Sequence, residues 1–320
     1  MIHSPKNIFI TGIAGFIGFH LALFLLRRGD VVLGCDHFNA YYDVELKEKR
    51  ALLLESKGAF ILRQDVKELK ALPEGVTHVV HLAAQAGVRY SITHPHSYIE
   101  ANVVGFFHLL ECLRHSSKVK LIFASSSSVY GTNQKIPFSE DDPTDSPANL
   151  YAASKKSGEV MAKSYHHLYG IPMTGLRYFT VYGPWGRPDM AYYSFAEKIL
   201  KKQPIQVFNH GKLKRDFTYI DDIVFGTVQA IDNCSGFELF NLGNTQPRSV
   251  MELIELLEQE LGERACLELL PMQQGEVETT YADIQKAASL LSYAPQITLE
   301  EGIHRFATWY RAFQEERGGS

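Results

Sequence analysis

The chain is poor in cysteine: four in 320 residues, at positions 35, 112, 234 and 266. Their separations match neither a metal-ligand spacing nor a disulfide framework, so a zinc-held or disulfide-stapled scaffold is excluded and a reducing cytoplasm is the expectation. Charge of either sign is also scarce in excess. A net charge of −4 gives no general attraction to nucleic acid or to an anionic membrane, so any anion must be held by local basic groups. Long apolar runs are missing too. The stretch from Ile13 to Leu26 could pass for a secretory h-region, but it carries His20, Gly15 and Gly18, and Arg27-Arg28 follow it. A signal peptide needs small residues at that point, and the stretch is too short to span a bilayer. Repeats and low-complexity segments are absent. One local absence matters as much: the serine run Ser125–Ser128 contains no Asp or Glu.

What is present reads as an ordinary globular chain, 45% hydrophobic and 21% charged. Its length suits one large domain or two smaller ones with an ample core. Short apolar runs at Asn7–Thr11, Val31–Cys35, Phe60–Arg63, Val76–His81 and Val119–Ala124 predict buried strands. Helical patterns lie between them at Phe16–Arg28, Val44–Ser56, Tyr98–His115 and Tyr151–Tyr169, and Pro172–Phe179 supplies a further strand. This alternation predicts an α/β fold: a Rossmann-like, doubly wound parallel sheet with helices on both faces. After Gly183 the texture becomes turn-rich. A helix from about Met190, a short strand at Ile205–Phe208 and helices at Asp221–Ile231, Val250–Leu261 and Leu299–Phe313 predict a smaller, irregular lobe over the sheet's carboxyl edge. The division expected is a dinucleotide domain over 1–180, with about 218–242 returning to it, and a substrate lobe over 181–217 and 243–320.

Gly12, Gly15 and Gly18 follow the first strand and open the first helix. Such glycines let backbone approach a pyrophosphate lying on the helix N-terminus, although they also permit tight helix–strand packing. Asp36 ends the second strand, where a carboxylate accepts both adenine-ribose hydroxyls and repels a 2′-phosphate, which favours NAD over NADP. Asp65 and Val66 follow the third strand at the expected adenine edge; Asp65 reads equally as a helix N-cap. Leu82, Ala83 and Ala84 end the fourth strand with small side chains, and His81 reads as a packed core imidazole. Tyr151 and Lys155 are four apart on one helix and face the same way. An ammonium there favours the phenolate, so Tyr151 can exchange a proton with a sugar hydroxyl. A hydroxyl from the serine run can share that proton.

In this order, the glycine loop, Asp36, His81-Leu-Ala-Ala84, the serine run and Tyr151-x-x-x-Lys155 make the chain resemble the extended short-chain dehydrogenase/reductases. The segments Ala83–Ser91, Arg177–Met190 and Phe208–Asp222 resemble the UDP-glucuronate 4-epimerases in particular. The resemblance implies NAD as a tightly held cofactor, with Phe16, Ile17, Asn39, Asn102 and Tyr178 joining the residues above around it. It implies Tyr151 as base, Lys155 as the group that lowers its pKa and holds the nicotinamide ribose, and Ser126 on the sugar 4-hydroxyl. The sugar's C4 would be oxidised to a 4-keto intermediate, the ring turned over while UDP stays anchored, and the hydride returned to the opposite face.

A 4-keto uronate is a β-keto acid and prone to lose CO₂, so the C6 carboxylate must be held out of the alignment for cleavage. Ser127, Ser128 and Thr180, with Arg187 nearby, are the candidate clamp; the plain alternative for Arg187 is an ion pair within a turn. Related decarboxylases place an acid where Ser128 stands, and neutral-sugar epimerases carry Asn where Thr180 stands. For the UDP moiety the candidates are Arg215, the helix N-terminus near Met190 and Ala191, Phe208 on uracil, Glu276 on the uridine ribose, and Arg89 on phosphate or uronate. Two departures from the family pattern are His37 after the ribose-binding Asp and Gln273-Gln-Gly-Glu276 in place of Gln-Pro-Gly-Asp. The resemblance also implies a homodimer through the helices at Tyr98–His115 and Tyr151–Tyr169. Alternatives are a UDP-glucuronate decarboxylase, a 4-epimerase of another UDP-hexose or UDP-uronic acid, and a catalytically silent NAD-sensing protein.

Overall fold

The computed structural model describes residues 4–116, 118–272 and 277–318. Strands and helices alternate through the first part: β1 (Asn7–Thr11), α1 (Phe16–Arg28), β2 (Val31–Asp36), α2 (Val44–Ser56), β3 (Phe60–Arg63), β4 (His78–His81), α3 (Val88–Thr93), α4 (Pro95–Tyr98), α5 (Gly105–Leu113), β5 (Lys120–Ser126), α6 (Leu150–Tyr169) and β6 (Met173–Tyr178). The remainder has shorter steps: β7 (Thr180–Tyr182), α7 (Ala191–Leu200), β8 (Pro204–Val207), β9 (Lys214–Tyr219), α8 (Ile220–Asn233), β10 (Phe237–Leu242), β11 (Pro247–Ser249), α9 (Val250–Leu261), β12 (Cys266–Leu269), β13 (Thr279–Thr280), α10 (Gln285–Leu291) and α11 (Leu299–Gly318).

Seven strands pair in the order β3-β2-β1-β4-β5-β6-β10, every pair parallel. This is the doubly wound Rossmann order, and the strand order reverses between β1 and β4, where a ligand crevice forms at the carboxyl ends. Ile8, Ile10, Val80 and Ile122 point into one apolar cluster and Phe9, Val79, Leu121 and Phe123 into another, because alternate residues serve opposite covered faces. Smaller sheets lie beyond the carboxyl edge: β9 pairs with β7 and β13 in parallel and with β11 antiparallel, and β8 pairs with β12.

The helix expected over Tyr98–His115 differs in detail. It begins at Pro95 and carries a π-helical segment, Ile99–Val104, ahead of α5. Such a bulge marks a local demand on side-chain direction, and here the buried residue of the segment is Asn102. Strand β9 had no counterpart in the expected elements; its sequence, Lys-Arg-Asp-Phe-Thr-Tyr, lacks an apolar run, and Arg215 lies on it. No helix among the described residues is long and apolar enough to cross a membrane.

Candidate active site

A cavity of about 540 Å³ opens along the carboxyl ends of the central strands, within the usual range for small-molecule sites. One end is built by the β1–α1 turn. Gly12 has φ +73°, and a Cβ there would sit 2.7 Å from the Ala83 nitrogen. A Cβ on Gly18 would lie 2.3 Å from the Gly12 carbonyl oxygen. Both positions therefore exclude side chains, and the backbone stays open to a close ligand. Helix α1 starts at Gly15 without a side-chain cap and without an acidic residue in its first turn, leaving amide donors and the positive dipole end for an anion. Asp36 accepts from the Ala14 nitrogen at 3.2 Å and the Phe38 nitrogen at 2.9 Å, which fixes its carboxylate at the cleft wall. Asp65 caps the short turn Val66–Glu68 in a reciprocal capping box, as its N-cap reading expects, and it also lines the cleft. Phe16, Ile17, Asn39, Val66, Leu82, Ala83, Ala84 and Tyr178 line the same cavity. The cradle fits a dinucleotide: a glycine turn, an open helix N-terminus and a carboxylate on the next strand end.

The other end carries the proton-transfer groups. Asn149 caps α6 by accepting from the Ala152 nitrogen at 2.9 Å, which sets Tyr151 in the helix's first turn, against the serine run. Ser126 ends β5 and caps the following turn, its hydroxyl accepting from the Ser128 nitrogen at 3.2 Å and donating to Ser128 Oγ at 3.2 Å. Burial pushes the Tyr151 phenol up; the Ser126 hydroxyl and the Arg187 guanidinium oppose that shift. Lys155, expected to do so, instead donates to the Ala124 carbonyl at 3.0 Å. Burial lowers its ammonium to about 8, with Arg187 adding to the effect. Ser127, Ser128, Thr180, Arg187, Met190, Arg89 and Arg215 all line this part of the cavity. Arg187 also forms the turn ion pair, with Nη2 2.5 Å from Asp189 Oδ2, while it lines the cavity.

Other expected residues are placed differently. Asn102 lies beneath the cleft, its amide spent on both backbone groups of Gln85, at 2.8 and 2.9 Å, and on Ser154 Oγ at 2.9 Å. It braces α6 against the β4 exit. Ala191 opens α7 behind Met190. Phe208 stacks under the Arg89 guanidinium, 4.8 Å from ring centroid to Cζ. The Arg215 guanidinium reaches the Val277 carbonyl at 3.0 Å. Glu276 lies outside the described residues. His81 is a core imidazole: Nδ1 sits 2.7 Å from Thr11 Oγ1, the ring stacks on Phe106, and burial lowers its pKa to about 3.

Sequence reasoning missed a buried network under the serine run. The Glu159 carboxylate receives Arg177 Nε at 2.8 Å, Arg177 Nη2 at 3.0 Å and Ser125 Oγ at 2.7 Å. Arg177 continues to the Tyr130 hydroxyl at 3.0 Å, and that hydroxyl donates to Asn241 Oδ1 at 2.7 Å. It also missed Lys47, which lines the cavity and donates to the Asn39 carbonyl at 2.7 Å. Burial lowers its ammonium to about 8 against the opposing pull of Asp36. The available signal was the three-residue spacing of Lys47 and Arg50 on α2, but a sequence does not say which helix face is buried.

Comparison with known proteins adds the lineage. The model of the NAD dependent epimerase/dehydratase family matches residues 8–243. UDP-glucuronate 4-epimerase 5 of Arabidopsis thaliana is 48% identical over 97% of this chain and 77% of its own length. Protein CapI of Staphylococcus aureus is 42% identical over 97% of this chain and all of its own length. The crystal structure of UDP-glucuronic acid 4-epimerase from Bacillus cereus, in complex with UDP-glucuronic acid and NAD, superposes with a TM-score of 0.91 at 36% identity, covering 96% of this chain and 100% of that one. By sequence, by strand order and by the architecture of its cleft, the chain belongs to the NAD dependent epimerase/dehydratase family.

Proposed function

We propose that this chain is a UDP-glucuronate 4-epimerase, interconverting UDP-glucuronate and UDP-galacturonate through a 4-keto intermediate with the C6 carboxylate retained. The observation that carries the reading is the meeting, in one cavity, of the dinucleotide cradle, the Tyr151 phenol, an acid-free run of serine hydroxyls and the Arg187 guanidinium. NAD, held by the glycine turn, Asp36 and Lys155, supplies a hydride acceptor for C4 and a donor for its return. Tyr151 takes the 4-hydroxyl proton as the base and gives it back, and Ser126 hydrogen-bonds the same oxygen. Ser127, Ser128 and Thr180 grip the carboxylate through hydroxyls that carry no charge to repel it, and Arg187 supplies the cation. Holding the carboxylate near the sugar-ring plane denies the C5–C6 bond the overlap with the ketone that CO₂ loss requires.

Arg215, Arg89 and the α7 N-terminus at Met190 face the UDP portion, with segments 181–217 and 243–320 forming the substrate lobe. A homodimer through α5 and α6 is supported by the exposed apolar side chains of Phe107, Val160 and Leu168. The cytoplasmic assignment rests on unpaired cysteines. The test is proton NMR of the sugar anomeric signals during incubation with UDP-glucuronate and NAD. UDP-galacturonate without a pentose product is the expected outcome; UDP-xylose or a 4-keto pentose assigns a decarboxylase instead.

A further inference from the structure

The turn that carries Arg187 packs Trp185 against Trp309 and Phe313 of α11 and receives hydrogen bonds from side chains of the segment between β1 and β3. Three consecutive carbonyls ahead of it accept hydrogen bonds. His20 Nε2 lies 2.8 Å from the Pro184 oxygen, and Arg50 Nη2 donates to the Trp185 and Gly186 oxygens at 2.5 and 2.9 Å. With a pKa lowered to about 4 by burial, His20 is neutral and the bond fixes its Nε2–H tautomer. Beyond Arg187, the Tyr41 hydroxyl donates to Asp189 Oδ2 at 3.1 Å, and Asp189 in turn grips Arg187 through Nε at 3.0 Å. Trp185 itself adopts a left-handed conformation, φ +56°, which a bulky residue keeps only where its surroundings over-determine it.

Arg50 is the centre of that determination. It is fully buried, and among the described residues its guanidinium meets carbonyls and a hydroxyl in place of a carboxylate. Its other terminal nitrogen donates to the Tyr42 hydroxyl at 2.9 Å and to the Ala14 carbonyl at 3.0 Å. Ala14 belongs to the glycine turn and immediately precedes Gly15, the cap of α1. One planar fork therefore joins the backbone that cradles a pyrophosphate to the backbone that aims Arg187. A lysine could not do this, since its single nitrogen has no two rigid arms. Burying a cation this deeply is costly unless its donors are used; the two terminal nitrogens make four bonds, three of them on these two loops, while Nε is buried without a partner.

We propose that Arg50 is a positioning residue for the carboxylate clamp, fixing Arg187 relative to the cofactor cradle so that loading of the cradle and protection of the C6 carboxylate are coupled. The proposal rests on the reading of the site as a uronate epimerase. Its test compares wild type, Arg50→Gln, Arg187→Gln and the double variant at saturating NAD, reading kcat, KM for UDP-glucuronate and the fraction of decarboxylated 4-keto pentose by NMR. Arg50→Gln is expected to raise both KM and the decarboxylated fraction by about fivefold or more, and the double variant to be no worse than Arg187→Gln, because coupled residues are not additive. A lower melting temperature with unchanged product partition, or additive effects in the double variant, overturns the proposal. Tyr42→Phe removes one acceptor of the fork without removing the charge, and decides the matter if Arg50→Gln does not fold: a shift in partition in the same direction supports the coupling, and none refutes it. Wild type that yields no UDP-galacturonate sinks the functional reading instead, before any variant is compared.

Discussion

Glu159→Gln tests whether the buried network under the serine run holds the catalytic strand and helix together. Glu159 lies on α6, eight residues beyond Tyr151, and its partners Arg177 and Ser125 lie on β6 and β5. Both members of the Glu159–Arg177 pair are about 2% exposed. Burial alone would raise the Glu159 carboxyl; the bonds from Arg177 and Ser125 reverse this and leave it below the usual carboxylate range. Glutamine conserves shape but turns one accepting oxygen into a donor facing a guanidinium, and removes the one carboxylate that, among the described residues, pairs with the buried Arg177 cation. Breaking one side of such a pair costs about 3–5 kcal/mol. For a chain of this size that lowers the melting temperature by roughly 6–10 °C, taking about 2 °C per kcal/mol. The assay is urea unfolding with the m-value checked for constancy, alongside kcat, which falls as Ser126 loses its anchored neighbour. A loss below about 1 kcal/mol, the range of an exposed pair, would refute the reasoning.

Tyr151→Phe removes the base while keeping the ring against Tyr98, and lowers kcat by about 10²–10⁴-fold with UDP-sugar affinity preserved; calorimetric binding alongside turnover checks both halves. Asp36→Ser removes the charge set against a 2′-phosphate and narrows the preference for NAD over NADP, read as the ratio of the two dissociation constants. Acid should destabilise the fold through His20 and His81, whose folded pKa values of about 4 and about 3 lie below the ordinary 6.5. Between those values the unfolded chain binds more protons, so stability falls as pH falls below 6.5, by about 1.4 kcal/mol per pH unit for each histidine. By pH 5 that is roughly 4 kcal/mol for the two together, and a flat denaturation midpoint between pH 7 and pH 5 would contradict it.

Much of this was legible in the sequence because the central strands are buried on both faces and read as plain apolar runs. Asn7–Thr11, Phe60–Arg63, Phe16–Arg28 and Val44–Ser56 match the observed elements residue for residue. Strand β9 was not legible: Asp216 and Thr218 are buried alongside Phe217 and Tyr219, so polar residues interrupt its apolar positions and no hydrophobic run marks it. The chemistry-bearing residues whose types are rare in their contexts, Tyr151 with Lys155 and the four serines, stood out at once. Lys47, Arg50, Glu159 and Arg177 did not, because a charged residue on a helix or strand reads as solvated until the packing shows which face is inside. Asn102 shows the converse: an amide near the cofactor in sequence order is turned by a π-helical segment into a brace between Gln85 and Ser154.

The most direct test is incubation of the NAD-loaded protein with UDP-glucuronate carrying deuterium at C4, followed by NMR of the product. Oxidation and return at that carbon predict UDP-galacturonate with the label still on C4 and the carboxylate intact. Loss of the label to solvent, or a pentose product, would contradict the account.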